Sequence, residues 1–153
     1  MENLKKDILK SFIPRAVLLP LNEKAKSSLV NEKVISIKNL PFKIGRETRL
    51  GKNDRGFFIK FRVMSDTANQ KNDIYLIDND EFLQISKEHF EISLNNDNKY
   101  ILRDRGSANG TTLNGNTIGG ERQVSEDILN DGDIVQVGTD CSEYKFQFLT
   151  LEV

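Results

Sequence analysis

The chain has 153 residues, a formal charge of −1 at pH 7 and 29% charged residues, which bounds it to about one domain. The near-neutral balance argues against a general nucleic-acid binder, which wants a strongly basic surface. One cysteine, Cys141, and one histidine, His89, exclude an internal disulfide framework, a multi-cysteine zinc site and any two-histidine metal site.

In chain order, Leu4, Ile8 and Phe12 recur every fourth residue, with Leu9 and Ile13 beside them. This is one apolar stripe on a short helix that Pro14 stops. The simplest expectation is that the helix packs on the main body, as an extension over residues 1–13 ahead of a domain over 14–153; the alternative is a partner-binding or dimer helix. Its lysines and aspartate interrupt any h-region, so it does not read as a signal peptide, and no apolar run approaches a membrane span. A cytoplasmic setting is the expectation.

After Pro14 the apolar period changes from 3.6 to 2. Strands are predicted at 15–21, 34–37, 42–44, 57–63, 74–77, 82–85, 90–94, 100–103, 111–113, 134–137 and 144–148. Asn95-Asn96-Asp97-Asn98, Asn114-Gly115 and Asp131-Gly132 mark turns between them, and Asn114-Gly115 reads as a hairpin turn. Many short strands at regular spacing point to an antiparallel β-sandwich, an all-β fold with a short N-terminal α-helix.

Charge is segregated along the chain. Residues 43–62 carry Lys43, Arg46, Arg49, Lys52, Arg55, Lys60 and Arg62 against Glu47 and Asp54, whereas 73–81 carry Asp73, Asp78, Asp80 and Glu81. Two solvated faces fit this pattern, and so does a positive rim for an anionic ligand.

Several motifs fail. Gly45 to Lys52 has the wrong glycine spacing for a P-loop, and Asn53 stands where a Mg²⁺-binding hydroxyl belongs. Asp78-x-Asp80 and Asp131-x-Asp133 do not continue into a calcium loop and read as turn and cap residues. Cys141 and Ser86 could pair only with His89, and neither spacing selects a catalytic arrangement. Cys141 is expected to be a half-buried small residue. Neither an enzyme, a metal nor a cofactor is expected.

Three segments agree with one another: Ile44-Gly45-Arg46, then Ser86-Lys87-Glu88-His89, then Asp104-Arg105-Gly106-Ser107-Ala108-Asn109-Gly110-Thr111, followed by Asn114-Gly115. With these signatures in this order, residues 15–152 resemble the forkhead-associated (FHA) domain family. The resemblance implies a sandwich of about eleven strands whose loops at one end bind phosphothreonine in an extended peptide. It implies a phosphopeptide site of Arg46, Ser86, Lys87, Asn109, Ala108 and Arg49. Within it Arg46 and the Ser86 hydroxyl hold the phosphate, the Lys87 N–H is a second donor, and Asn109 grips the peptide backbone. Gln84, Asn114 and Asn116 are candidates for peptide selectivity. Gly45, His89 and Gly110 are structural: the imidazole ties the loops together, and the glycines allow backbone forms that a Cβ forbids.

One departure stands out. Many family members carry Ser or Thr just before the binding asparagine, where this chain has Ala108. One phosphate hydrogen bond is then missing, or Lys87, Arg49 or Lys52 supplies it. The implied activity is phosphothreonine-dependent docking of a protein partner, without nucleic acid or membrane. The alternative is a phosphate-independent scaffold on the same fold.

Overall fold

The computed structural model describes residues 1–29, 32–47, 50–59, 71–78 and 84–151. Within them the elements run α1 (Glu2–Phe12), β1 (Ala16–Pro20), α2 (Glu23–Lys26), β2 (Ile35–Ile37), β3 (Phe42–Arg46), β4 (Leu50–Asn53), β5 (Gly56–Ile59), β6 (Ile74–Leu76) and β7 (Phe90–Leu94). They continue β8 (Tyr100–Arg105), β9 (Thr111–Leu113), β10 (Asn116–Ile118), β11 (Val124–Leu129), β12 (Ile134–Val137) and β13 (Lys145–Thr150). A six-stranded sheet, β10-β9-β12-β13-β1-β2, faces a five-stranded sheet, β11-β8-β7-β3-β6. β4 and β5 form a separate hairpin. Eleven strands therefore build the sandwich, the number the resemblance implied.

Alternation decides which residues enter the core. Phe90 and Ile92 of β7 are buried and Glu91 is not; Phe146 and Phe148 of β13 are buried while Lys145 and Gln147 are only partly covered. Register then aligns the apolar sets, with Leu18 opposite Phe148 and Ile92 opposite Leu102. The Tyr100 ring meets Phe148 edge-on at 5.1 Å, joining the two sheets. Each large side chain buried this way contributes about 1.5–3 kcal/mol.

The structure corrects four expectations. The helix forms, and Ile13 turns to an extended conformation ahead of Pro14, yet it does not pack on the body. None of its residues is buried, and Phe12 is 75% exposed. The sandwich closes its core with its own two sheets and leaves the helical stripe without a partner among the described residues. Gln84 and Ile85 are not in a strand, because their N–H groups bond the Asp78 carboxylate. β4, β10, β11 and α2 are additional elements. β11 shows no alternation because it is an edge strand with Val124 and Ile128 exposed and charges between them. Finally, the sandwich is not wholly antiparallel: β6 runs parallel to β3, Arg46 opposite Leu76. The connection between β3 and β6, residues 47–73, has the length that the crossover of a parallel pair needs. No helix among the described residues is long and apolar enough to cross a membrane.

Candidate functional site

Five connections meet at one end of the sandwich: the chain leaving β3, the 84–89 segment before β7, and the loops β8–β9, β10–β11 and β12–β13. The first four enclose a cleft of about 420 Å³ lined by Arg46, Ser86, Lys87, Ala108 and Asn109, together with Ile85, Glu88, Arg105, Gly106 and Arg122. Five of the six residues expected at the site thus share one concavity. The sixth, Arg49, lies outside the described residues, as do Lys60 and Arg62 of the basic segment.

His89 organises this end. Its ring is fully buried. Nδ1 accepts the Ser86 N–H at 3.0 Å, so Nε2 carries the proton and donates to the Gly110 carbonyl at 2.6 Å. Its backbone N–H bonds Ile44 O, and its carbonyl accepts from Arg105 N. One residue therefore fixes β3, the Ser86 segment, the end of β8 and the start of β9. Burial holds the imidazole below its ordinary value of 6.5, against the opposing pull of the Gly110 carbonyl and the Asp104 carboxylate.

That displacement has a sign. At pH above about 6.5 the ring is neutral in both states, and its full contribution to stability is present. Below it, the unfolded chain takes a proton that the folded chain resists. Stability then declines with falling pH, by up to about 1.4 kcal/mol per pH unit, until the folded-state pKa is reached. The melting temperature should fall between pH 7.5 and 5.5, and the fall should flatten in His89→Gln. Equal slopes in the two proteins would remove His89 as the titrating group.

Ser86 is pinned three ways. Its N–H meets His89, its carbonyl accepts Arg46 N at 2.9 Å, and its Oγ accepts Ala108 N at 2.9 Å. The hydroxyl proton is left to donate into the cleft. The Lys87 carbonyl accepts from Asn72 Nδ2 at 2.8 Å. Arg46 and Lys87 have no ion-pair partner among the described residues. Arg105 differs, because its guanidinium bonds Glu88 Oε1 at 2.8 Å, Asn72 Oδ1 at 2.6 Å and Lys71 O. Asn109 Nδ2 reaches Gln84 O at 3.5 Å.

Beneath the cleft lies a group that the sequence reading passed over. Asp104 is fully buried and accepts four hydrogen bonds: Oδ1 from the N–H groups of Gly106 and Ser107, Oδ2 from the hydroxyls of Ser107 and Thr111. Its signal was the pairing of an acidic residue with hydroxyls three and seven positions on. Gly119 packs against the same carboxyl, leaving no room for a Cβ.

The two structural glycines act for different reasons. Gly110 has φ +81°, which favours glycine, and Thr117 crowds it as well. Gly45 is outside the left-handed region. Its reason is space: a Cβ there would overlap the Lys87 carbonyl and stand 2.6 Å from Asn72 Nδ2.

The selectivity candidates separate. Gln84 sits beside the cleft, and its Oε1 is engaged by the N–H and hydroxyl of Thr139 on the β12–β13 loop. Asn114 and Asn116 lie at the far end of the sandwich. Asn114 bonds Asp133 and Ile134 N there, and with Gly115 forms the expected hairpin turn with both φ positive. A groove of about 610 Å³ occupies that far end. Its Asp131 and Asp133 are occupied as caps of Thr150 N and Asn130 N, which makes it a cluster of turns. Cys141 is exposed, not half-buried, because it stands on the outer turn between β12 and β13. No group of three or more potential metal-ligating side chains occurs among the described residues.

Comparison with known proteins adds three findings. The family model for the FHA domain matches residues 42–138, more than half of the chain. No curated protein sequence matches it. Among solved structures, the FHA domain of CT664 from Chlamydia trachomatis aligns at 19% identity over 90% of this chain and 99% of that one, with a TM-score of 0.53. Full-length yeast Pml1p aligns at 18% identity over 89% and 81%, with a TM-score of 0.56. Mycobacterium tuberculosis EmbR, solved with a low-affinity phosphopeptide, aligns at 18% identity and a TM-score of 0.52 over 96% of this chain. The chain spans 29% of the EmbR chain. At these identities the likeness is one of fold.

Proposed function

Because this chain belongs to the FHA domain family, we propose that its cleft docks partner proteins through a phosphothreonine in an extended segment. The observation that carries the reading is the meeting in one cleft of two cations without ion-pair partners among the described residues, Arg46 and Lys87, and the Ser86 hydroxyl, whose oxygen accepts Ala108 N and whose proton remains to donate. Phosphothreonine brings a charge of about −1.5 to −2 and three acceptor oxygens. Arg46 offers a planar fork for two of those oxygens, Ser86 a hydroxyl and Lys87 a point charge beside its own N–H. Asn109 is the candidate grip on the peptide backbone. Ala108 and the buried Ile85 offer an apolar niche for the threonine methyl. The phosphopeptide held by EmbR supports the same ligand class.

Binding fits this cleft better than catalysis. A general base must reach the proton it removes, and the imidazole is buried beneath the loops with both nitrogens engaged.

Titrating peptides of identical sequence bearing Thr or phosphothreonine tests the proposal. Affinity confined to the phosphorylated peptide is the expected result. Equal affinity would favour the phosphate-independent scaffold. Phosphopeptide affinity should also weaken as salt rises, because charges in an open cleft are screened over about 8 Å at physiological ionic strength. An affinity flat between low and high salt would leave only the close hydrogen bonds in the account.

A further inference from the structure

We infer that Arg122, on the turn between β10 and β11, is a fourth-loop ligand of the phosphate, supplying a donor where Ala108 of the β8–β9 loop carries no hydroxyl. This rests on the phosphothreonine reading above and deepens it.

Position is the first argument. Arg122 lines the cleft with Arg46, Ser86 and Lys87. Two backbone bonds lock its turn onto the β8–β9 loop, Glu121 N to Ala108 O and Arg122 N to Ser107 O, both 2.9 Å. Gly120 stacks against the backbone of Asn109 and Gly110. The Arg122 side chain therefore starts beside Ala108 and moves with that loop. It has no ion-pair partner among the described residues.

The second argument is strain. Gly119, Gly120, Glu121 and Arg122 have φ of 67°, 91°, 52° and 62°, four left-handed residues in succession. The last two carry a Cβ, which this conformation disfavours. A turn with structural duty alone is relaxed by glycine at both positions. Holding a guanidinium in a disfavoured conformation at the lip of an anion cleft implicates its side chain.

The donors available from the β8–β9 loop make the third argument. Ala108 has no polar side-chain atom, and its N–H is taken by Ser86 Oγ. The Ser107 hydroxyl is buried, donating to Asp104 and accepting from Gly110 N. Arg105 is held by Glu88, Asn72 and Lys71. Arg46, Ser86 and Lys87 do not use all the acceptor capacity of three phosphate oxygens, and among the described residues Arg122 is the remaining cation that lines the cleft without an ion-pair partner.

The test uses a phosphothreonine peptide flanked by alanines, its unphosphorylated counterpart, and a phosphopeptide with acidic flanks. On the alanine-flanked phosphopeptide Arg122→Ala should weaken binding about tenfold, the loss of one hydrogen bond to a charged group. Arg122→Lys should recover part of it, keeping charge without the fork. Arg122→Gly should bind as weakly as Arg122→Ala yet melt no lower than wild type, a split that a merely structural residue would not produce. Restoring a hydroxyl with Ala108→Thr should reduce the effect of Arg122→Ala, so the double-mutant cycle shows coupling. Wild-type affinity of Arg122→Ala for the alanine-flanked phosphopeptide overturns the inference. So does a loss seen only with acidic flanks, which would place Arg122 on a peptide side chain. If wild type itself does not distinguish the phosphorylated from the unphosphorylated peptide, the parent reading fails, and this inference with it.

Discussion

Arg46→Ala is expected to abolish measurable phosphopeptide binding while moving the melting temperature by no more than about 1–2 °C. The two halves of this result have separate causes. In the folded protein Arg46 is half-buried and its guanidinium has no ion-pair partner among the described residues, so no folded-state ion pair is lost with it. The bond that Arg46 does make is from its backbone N–H to Ser86 O, and alanine keeps it. A fork on a phosphate, by contrast, makes two charge-assisted hydrogen bonds, each contributing about 1.5–3 kcal/mol. Losing both lowers affinity by about two decades or more. Calorimetric titration with thermal unfolding of the same samples checks both halves. A variant that binds normally would remove Arg46 from the phosphate, and one that unfolds would assign it a structural role instead.

Asp104→Ala should do the opposite, destabilising the domain by about 3–5 kcal/mol, a large share of the roughly 5–15 kcal/mol a domain has. Four donors lose their acceptor at once: the N–H groups of Gly106 and Ser107 and the hydroxyls of Ser107 and Thr111. The backbone donors cannot turn elsewhere, and water reaches none of this fully buried carboxyl. Asp104→Asn should cost much less. Its carbonyl oxygen can keep the two N–H groups, and the two hydroxyls can rotate to accept from the new amide. Urea unfolding of the three proteins orders them wild type, Asn, Ala. Equal losses in Asn and Ala would show that the charge matters more than the number of acceptors. The cleft would suffer in the alanine variant too, since Ala108 and Asn109 ride on the loop that Asp104 anchors.

Arg46 and Asp104 also mark what could be read before any coordinates. Arg46 was legible because a glycine–arginine pair at a strand end, with Ser86, His89 and Asn109 in order behind it, is a pattern of neighbours along the chain. Asp104, beside Arg103 and Arg105, reads locally as one more solvated charge. Its burial arises only when the 106–111 segment folds back over it. Gln84 and Asn114 divide in the same way: both lie near motif residues in sequence, yet Gln84 is drawn to Thr139, 55 positions on, and Asn114 is carried to the other end of β9.

What the sequence determined by itself was therefore local. The period-two alternation of Phe90, Ile92, Phe146 and Phe148 set strands and faces, because side chains on a pleated strand alternate whatever they pack against. Asn114-Gly115 set a hairpin, because both positions need positive φ. The ordered motifs set the family. The tertiary structure alone decided that α1 stays unpacked, that β6 joins β3 in parallel, that β11 forms a charged edge, and that Arg122 stands over the cleft. Each of these depends on which distant groups meet, and a buried polar atom or an edge strand takes its partner from across the fold, where no spacing along the chain records it.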